Sequence, residues 1–422
     1  MFQRRRAPIA RREIVLLGLT LALPALAVET AETAETAETS AGGPSDWSVR
    51  WADGVRVERN DGAARIFLGG RLLLDAGIIH ADADLAVPGK EPGKARTLAR
   101  LRQFRLVAKG QFEKSFFKIE TEFAGSDAEF TDVFLGASGL GPMGTVKGGH
   151  MKEPFSLEQQ TSRRWMTFTE RSLPNALVIG RNTGGSLEDT ALGDRLRWRV
   201  GVFCDTSEFA KHCDDDVDLG FRLTGLPALS EDGANLTAVG VSYVHQFRNN
   251  RSITFSKLDP FLTNKFLGIG TIRGVRAVDR IGTEAAWVHG PLSIQAEYIH
   301  AFLDRTTGRG NLDFWGLTAE ASWLVTGEHR PYSKRTGAFD RIVPRKSFAP
   351  STGDWGAFQL ATRVSYLDLD DRDISGGRAT DLTLGFNWFL TSTLRFTLNY
   401  VFGQVRGPGD VHIVQARFQI AL

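Results

Sequence analysis

The residues best placed to do chemistry lie in one stretch, His150 to Gly185, reading HMKEPFSLEQQTSRRWMTFTERSLPNALVIGRNTGG. It carries Arg163, Arg164, Arg171 and Arg181, with Lys152 at its start and a turn-forming Glu153-Pro154. Clustered guanidinium groups bind carboxylate or phosphate oxygens through paired hydrogen bonds, so the chemistry on offer is anion recognition rather than bond making. Glu153 and Glu170 could be imagined as a catalytic carboxylate pair, but pairing with the neighbouring arginines is the simpler role, because unpaired cations repel. No Gly-x-Ser-x-Gly elbow, HExxH or phosphate-binding glycine loop occurs, and the eight histidines lack metal-ligand spacing. We therefore expect no enzyme, no cofactor and no metal site.

A polar, irregular segment of this length is too long for a simple connector, and both its flanks alternate apolar and polar residues. Alternation assigns faces, because successive strand side chains point to opposite sides. In Asp381–Leu390 the apolar set is Leu382, Leu384, Phe386, Trp388 and Leu390; in Leu394–Gly403 it is Leu394, Phe396, Leu398, Tyr400 and Phe402. Val414, Ala416, Phe418, Ile420 and Leu422 continue the pattern. Together with 45 Gly, 28 Phe and 9 Trp, and no apolar run of membrane-helix length beyond the N-terminus, this predicts an all-β chain.

Rising strands are predicted near 67–79, 116–124, 145–152, 195–203, 236–247, 291–302, 355–367 and 393–403. Falling strands are predicted near 100–112, 130–138, 181–190, 217–225, 279–289, 313–325, 380–390 and 412–422. Connections are short on one side, around Lys114, Gly290-Pro291 and Thr391-Ser392-Thr393, and long on the other. That asymmetry separates a transmembrane barrel from a soluble sandwich, and sixteen antiparallel strands put both ends in the periplasm. The stretch at 150–185 then folds inward as the third loop and forms the pore constriction.

Parity sends Arg195, Arg197 and Arg199 to one face of the seventh strand, and Arg105, Lys109, Lys118, Arg222, Arg363, Arg395 and Arg417 to the same lumen. A basic residue at the lipid midplane costs about 2–4 kcal/mol, so this placement follows from the fold alone and does not by itself give selectivity. Asp75, Glu120, Glu122, Glu284, Glu297 and Glu320 share the lumen, which makes the lining mixed. Two further insertions are basic. Residues 326–354, on the short-turn side, carry Arg330, Lys334, Arg335, Arg341, Arg345 and Lys346 and either hang in the periplasm or fold up into the pore mouth. Residues 248–278, on the outer side, carry Arg248, Arg251, Lys257, Lys265, Arg273 and Arg276.

The N-terminus reads as a cleaved signal peptide, 1–27. Arg4, Arg5, Arg6, Arg11 and Arg12 precede an apolar stretch, and Ala25-Leu26-Ala27 offers the small-x-small cleavage pattern. Its removal takes five arginines and one glutamate from 51 basic and 49 acidic residues, leaving 46 against 48. With a near-neutral mature chain, only the placement of charge can favour an anion. Residues 28–60, with the repeats ETAETAETAETS, read as a periplasmic spacer, and 61–422 as the barrel. Cys204 and Cys213 flank an outer loop and are expected to form a disulfide in an oxidising compartment. Asp214, Asp215 and Asp216 read as a solvated edge or, more sharply, a calcium contact with lipopolysaccharide.

The stretch KEPFSLEQQTSRRWMTFTERSLPNALVIGR, with the early GGRLLLDAG and the late TGEHRPY, resembles the phosphate-selective porin O and P family. The resemblance covers nearly the whole mature chain and implies a homotrimeric, sixteen-stranded anion channel of the bacterial outer membrane. It also implies that the third and fifth outer loops and one long periplasmic turn narrow the lumen. The expected partners are small inorganic anions such as phosphate or polyphosphate, with outer-membrane lipid and lipopolysaccharide around the barrel and no nucleic acid. A general, weakly selective porin is the competing reading, and a non-channel barrel such as an outer-membrane hydrolase or adhesin a more distant one.

Overall fold

The computed structural model describes residues 46–82, 85, 95–206, 208–209, 216–258, 265–268, 271–306, 308 and 310–422. The signal peptide and most of the spacer expected at 1–60 lie outside these residues. Sixteen antiparallel strands form the barrel wall. They are β1 (Ala64–Ala81), β2 (Arg96–Phe112), β3 (Ser115–Glu122), β4 (Glu129–Ala137), β5 (Thr145–Lys152), β6 (Arg181–Ala191), β7 (Leu196–Cys204) and β8 (Val217–Leu229). They continue with β9 (Asn235–Ile253), β10 (Ile272–His289), β11 (Leu292–Arg305), β12 (Leu312–Leu324), β13 (Ala357–Asp371), β14 (Ile374–Phe389), β15 (Leu394–Val405) and β16 (Gly409–Ala421). Each pairs with its sequence neighbour, and β16 returns to β1 from Val411↔Ala81 to Ala421↔Arg71, which closes the barrel.

Burial is inverted relative to a soluble protein. Leu382, Leu384, Leu398, Tyr400, Val414 and Phe418 are exposed, whereas Asn387, Thr397, Asn399, Gln415 and Arg417 are buried. A barrel in lipid requires this, with apolar side chains facing hydrocarbon and polar ones facing the lumen.

Several features differ from the sequence reading. The outer insertion expected at 248–278 is shorter, because β9 runs on to Ile253 and β10 already begins at Ile272, with a small hairpin, Ser256–Leu258 and Lys265–Gly268, between them. Polar residues at 248–252 broke the alternation used to end the strand, yet above the bilayer a strand need not alternate. Before the barrel, the segment expected to be spacer up to residue 60 contains a hairpin, Trp47–Trp51 and Val55–Arg59. Its second strand pairs with the start of β1, from Val55↔Leu68 to Glu58↔Arg65. It occupies the edge of β1 below the point where β16 stops. Asp216, expected on a solvated edge, is only 3% exposed and pairs with Arg251 at 3.1 Å. Asp214 and Asp215 lie outside the described residues.

Candidate functional site

The β5–β6 connection, residues 153–180, turns back into the barrel. Ser156, at a left-handed φ of 62°, marks the reversal. Glu297 of β11 clamps it, accepting from Ser156 Oγ at 2.7 Å and Glu158 N at 2.6 Å. Farther along, Arg395 donates to the carbonyls of Met166 (2.8 Å) and Thr167 (2.9 Å), Arg417 to that of Thr169 (2.7 Å) and Arg363 to that of Glu170 (2.9 Å). Thr169 N donates to Asn399 Oδ1 at 2.8 Å, and Thr167 Oγ1 to Glu320 at 3.0 Å. These lumen-facing polar side chains therefore satisfy the backbone of a segment that left its own sheet.

Apolar packing holds the same side. Phe155, Leu177 and Ile179 are buried with Val244, Ile299, Phe314, Leu367 and Val411, and Leu157 with Leu226, Leu236, Ala338 and Phe339. Fully burying a Phe or Leu stabilises by about 1.5–3 kcal/mol, so the loop is fixed to the β8–β16 half of the lumen. What remains open is a cavity of about 1430 Å³ between the loop and β1–β7, with the N-terminal hairpin and residues 331–341 at its mouth.

Of the residues singled out by sequence, Lys152, Arg163, Arg164, Arg171, Arg181, Arg105, Lys109, Arg197 and Arg199 all line this cavity. Arg195 does not, because it sits in the exposed turn before β7. The long periplasmic segment folds up into the mouth. Arg197 Nε donates to Arg335 O at 2.8 Å and Arg222 Nη2 to Gly337 O at 2.6 Å, so Arg335 and Arg341 reach the cavity. Arg330 instead is buried against Glu320 at 2.8 Å, and Lys334, Arg345 and Lys346 are exposed away from the cavity lining. Arg222, Arg363, Arg395 and Arg417 are spent on bracing backbone or on Glu284 and Asp75, not on the pore.

Three acidic nodes organise the wall. Glu120 holds Arg71 (3.0 Å), Arg105 (2.7 Å) and Lys118 (3.1 Å); Asp132 holds Lys118 and Arg181 (2.6 Å); Glu188 holds Lys147, Arg197 (2.8 Å) and Arg199 (3.5 Å). On the loop, Glu170 takes Arg163 at 2.6 Å, Arg102 at 2.8 Å and Arg417 at 3.4 Å. Burial disfavours its charge, yet Arg163 and Arg102 outweigh that and hold its carboxyl well below the usual range. Glu153 departs from the expected arginine pairing and accepts from Asn182 at 2.6 Å. Among the described residues, seventeen basic side chains line the cavity against eight acidic ones, the local excess that the near-neutral chain as a whole lacks.

Sequence reasoning missed Arg71, Arg102 and Lys147. Arg71 and Lys147 lie on the inward parity of Asp75 and Thr145 and were legible by counting. Arg102 was not, because the β1–β2 register shifts between Leu73↔Gln103 and Leu74↔Leu101. The extra residue of that bulge turns Arg102 inward, where strict alternation would face it to lipid.

A family model described as phosphate-selective porin O and P matches residues 74–422. The chain belongs to that family. Porin O of Pseudomonas aeruginosa is 25% identical over 308 residues, 64% of this chain and 67% of that one. A protein of Caulobacter vibrioides is 29% identical over 352 residues, 78% and 67% of the two chains. Among solved structures, an anion-selective porin from Comamonas acidovorans has a TM-score of 0.54 at 14% identity, covering 85% of this chain and 100% of that one. OmpT of Vibrio cholerae matches at 0.54 and 12%, covering 85% and 98%. The porin is thus a β-barrel channel of the bacterial outer membrane.

Cys204 ends β7 and is not a free thiol, while Cys213 lies outside the described residues. A maleimide should label neither cysteine of the folded porin until a reductant is added. Labelling without reduction would show that the expected pair does not form.

Proposed function

We propose that this porin passes small anions in preference to cations, with phosphate or polyphosphate as the solute class. The observation that carries the reading is the cavity lining, seventeen basic against eight acidic side chains among the described residues, in the part of the lumen that the loop leaves open. Acidic nodes fix the guanidinium groups in place while leaving a surplus to face the water. A phosphate crossing the narrowing exchanges part of its hydration for paired N–H donors, then passes to the next cation. Several modest sites release a solute where one tight site would retain it. Assembly as a homotrimer surrounded by lipid and lipopolysaccharide, and export through a signal peptide at 1–27, belong to the same proposal.

The weakly selective reading has its own support, since Glu170, outside the cavity lining, offsets the charge of Arg163 at 2.6 Å. A planar bilayer under a potassium chloride gradient separates the two. The zero-current potential should take the sign of the chloride equilibrium potential and weaken as salt rises past about 0.1 M, where the screening length is ~10 Å. Added phosphate should reduce the chloride current. A potential near zero at low salt would establish the weakly selective porin instead.

A further inference from the structure

The mouth of the cavity holds a feature that an inorganic anion does not require. Phe67, Phe116, Phe134 and Trp165 line it, each with a cation over its ring. Lys109 Nζ lies 5.4 Å from the centroid of Phe67, and Lys147 Nζ 6.0 and 5.8 Å from those of Phe116 and Phe134. The guanidinium carbons of Arg164 and Arg341 lie 4.9 and 4.8 Å from Trp165. Barrel aromatics normally face lipid. These three phenylalanines have instead the inward parity of Arg71, Lys118 and Asp132.

The strands make room for them with glycine. A Cβ on Gly69 would meet the Phe67 ring at 2.6 Å, and one on Gly136 the Phe116 ring at 2.6 Å. The rings are thereby pressed against the wall and offer their free surface to the lumen. Phe116 and Phe134 meet edge to face, with centroids 6.5 Å apart. Both lie next to the short turns at 113–114 and 138–144, on the periplasmic side of the loop.

We propose that this vestibule recognises organic anions that carry a flat aromatic ring, such as aryl carboxylates and aryl phosphates; the inference rests on the anion-preferring reading above. Phosphate alone engages only the cations. An aryl anion places its charged group on Lys147 or Lys109 while its ring packs against Phe116, Phe134 or Phe67, so ring and charge are bound by adjacent groups. The contact is modest, as a site in a conducting path must be.

The test is block of single-channel chloride current in the full-length porin. Phenyl phosphate should half-block at a concentration about threefold or more below inorganic phosphate, the gain of one aromatic contact. In the triple variant Phe67→Leu, Phe116→Leu and Phe134→Leu, which still covers Gly69 and Gly136, that ratio should fall to about one while chloride reversal potential is kept. An unchanged ratio in the variant overturns the proposal and leaves the rings as packing over glycine. If the variant fails to assemble, the wild type decides: benzoate should block better than cyclohexanecarboxylate, which is apolar but has no π face, and equal block overturns aromatic recognition. A cation-preferring reversal potential in chloride alone would overturn both this and the anion reading; an anion-preferring one with a phenyl-to-inorganic ratio of one overturns only this.

Discussion

Replacing Arg163 and Arg164 together by alanine is expected to move the zero-current potential toward zero while the barrel still assembles. Both residues line the cavity, and their loss takes two charges from a side-chain surplus of nine among the described residues. Assembly should survive because neither is the sole support of its surroundings. Glu170 loses Arg163 but keeps Arg102 at 2.8 Å and Arg417 at 3.4 Å, and Arg164 contributes a hydrogen bond to Leu422 O at 3.2 Å. The anion-to-cation permeability ratio should fall by about two- to fivefold at low salt and much less in molar salt, where the screening length shrinks to ~3 Å. Reversal potential and heat-modifiable migration on a detergent gel give the two readouts. Unchanged selectivity in a folded variant would move the filter to Arg335 and Arg341 at the mouth. Failure to assemble would show that the pair braces the loop instead.

Glu120→Gln should act in the opposite direction on selectivity and more strongly on stability. Its carboxylate is 4% exposed as a side chain and balances Arg71, Arg105 and Lys118. Arg105 retains Glu122 at 2.6 Å and Lys118 retains Asp132, but Arg71, itself 6% exposed, loses its carboxylate partner and is left with neutral acceptors, Gln103 at 3.0 Å and the substituted amide oxygen. Removing one partner of a buried pair costs about 3–5 kcal/mol, and the two surviving acids place this variant near the low end, about 3. The temperature of heat modification should drop by several degrees while the reversal potential moves farther toward that of chloride. A variant as stable as wild type would mean that water reaches Arg71. One that is less anion-selective would mean that Glu120 holds the guanidinium groups in their working positions.

These two substitutions lie on opposite sides of one cavity, and the wall was more legible in sequence than the way the loop docks on it. The sixteen strands, their order and their faces followed from alternation, because lipid on one side and water on the other impose a period of two on every strand. The basic loop between the fifth and sixth strands was legible because its length and polarity fit no ordinary connection. Parity likewise brought Arg105, Lys109, Arg197 and Arg199 to the lumen.

Which of those lumen residues line the open cavity was decided by tertiary structure. Arg363, Arg395 and Arg417 share the inward parity of Arg197, yet the loop docks on their half of the barrel and takes their donors for its own carbonyls. Parity gives a face but carries no information on what covers it. A single bulged residue brought Arg102 in, and the start of β7 at Leu196 left Arg195 out. The periplasmic segment 326–354 could hang free or enter the pore by sequence alone. It enters because Ala338 and Phe339 find Leu157 of the loop, a contact between residues 182 positions apart for Phe339 that no local pattern encodes. Sequence thus determined the wall and its two faces, since these repeat along the chain. The open path, and the surplus of charge along it, arose only when two distant insertions packed against that wall and each other.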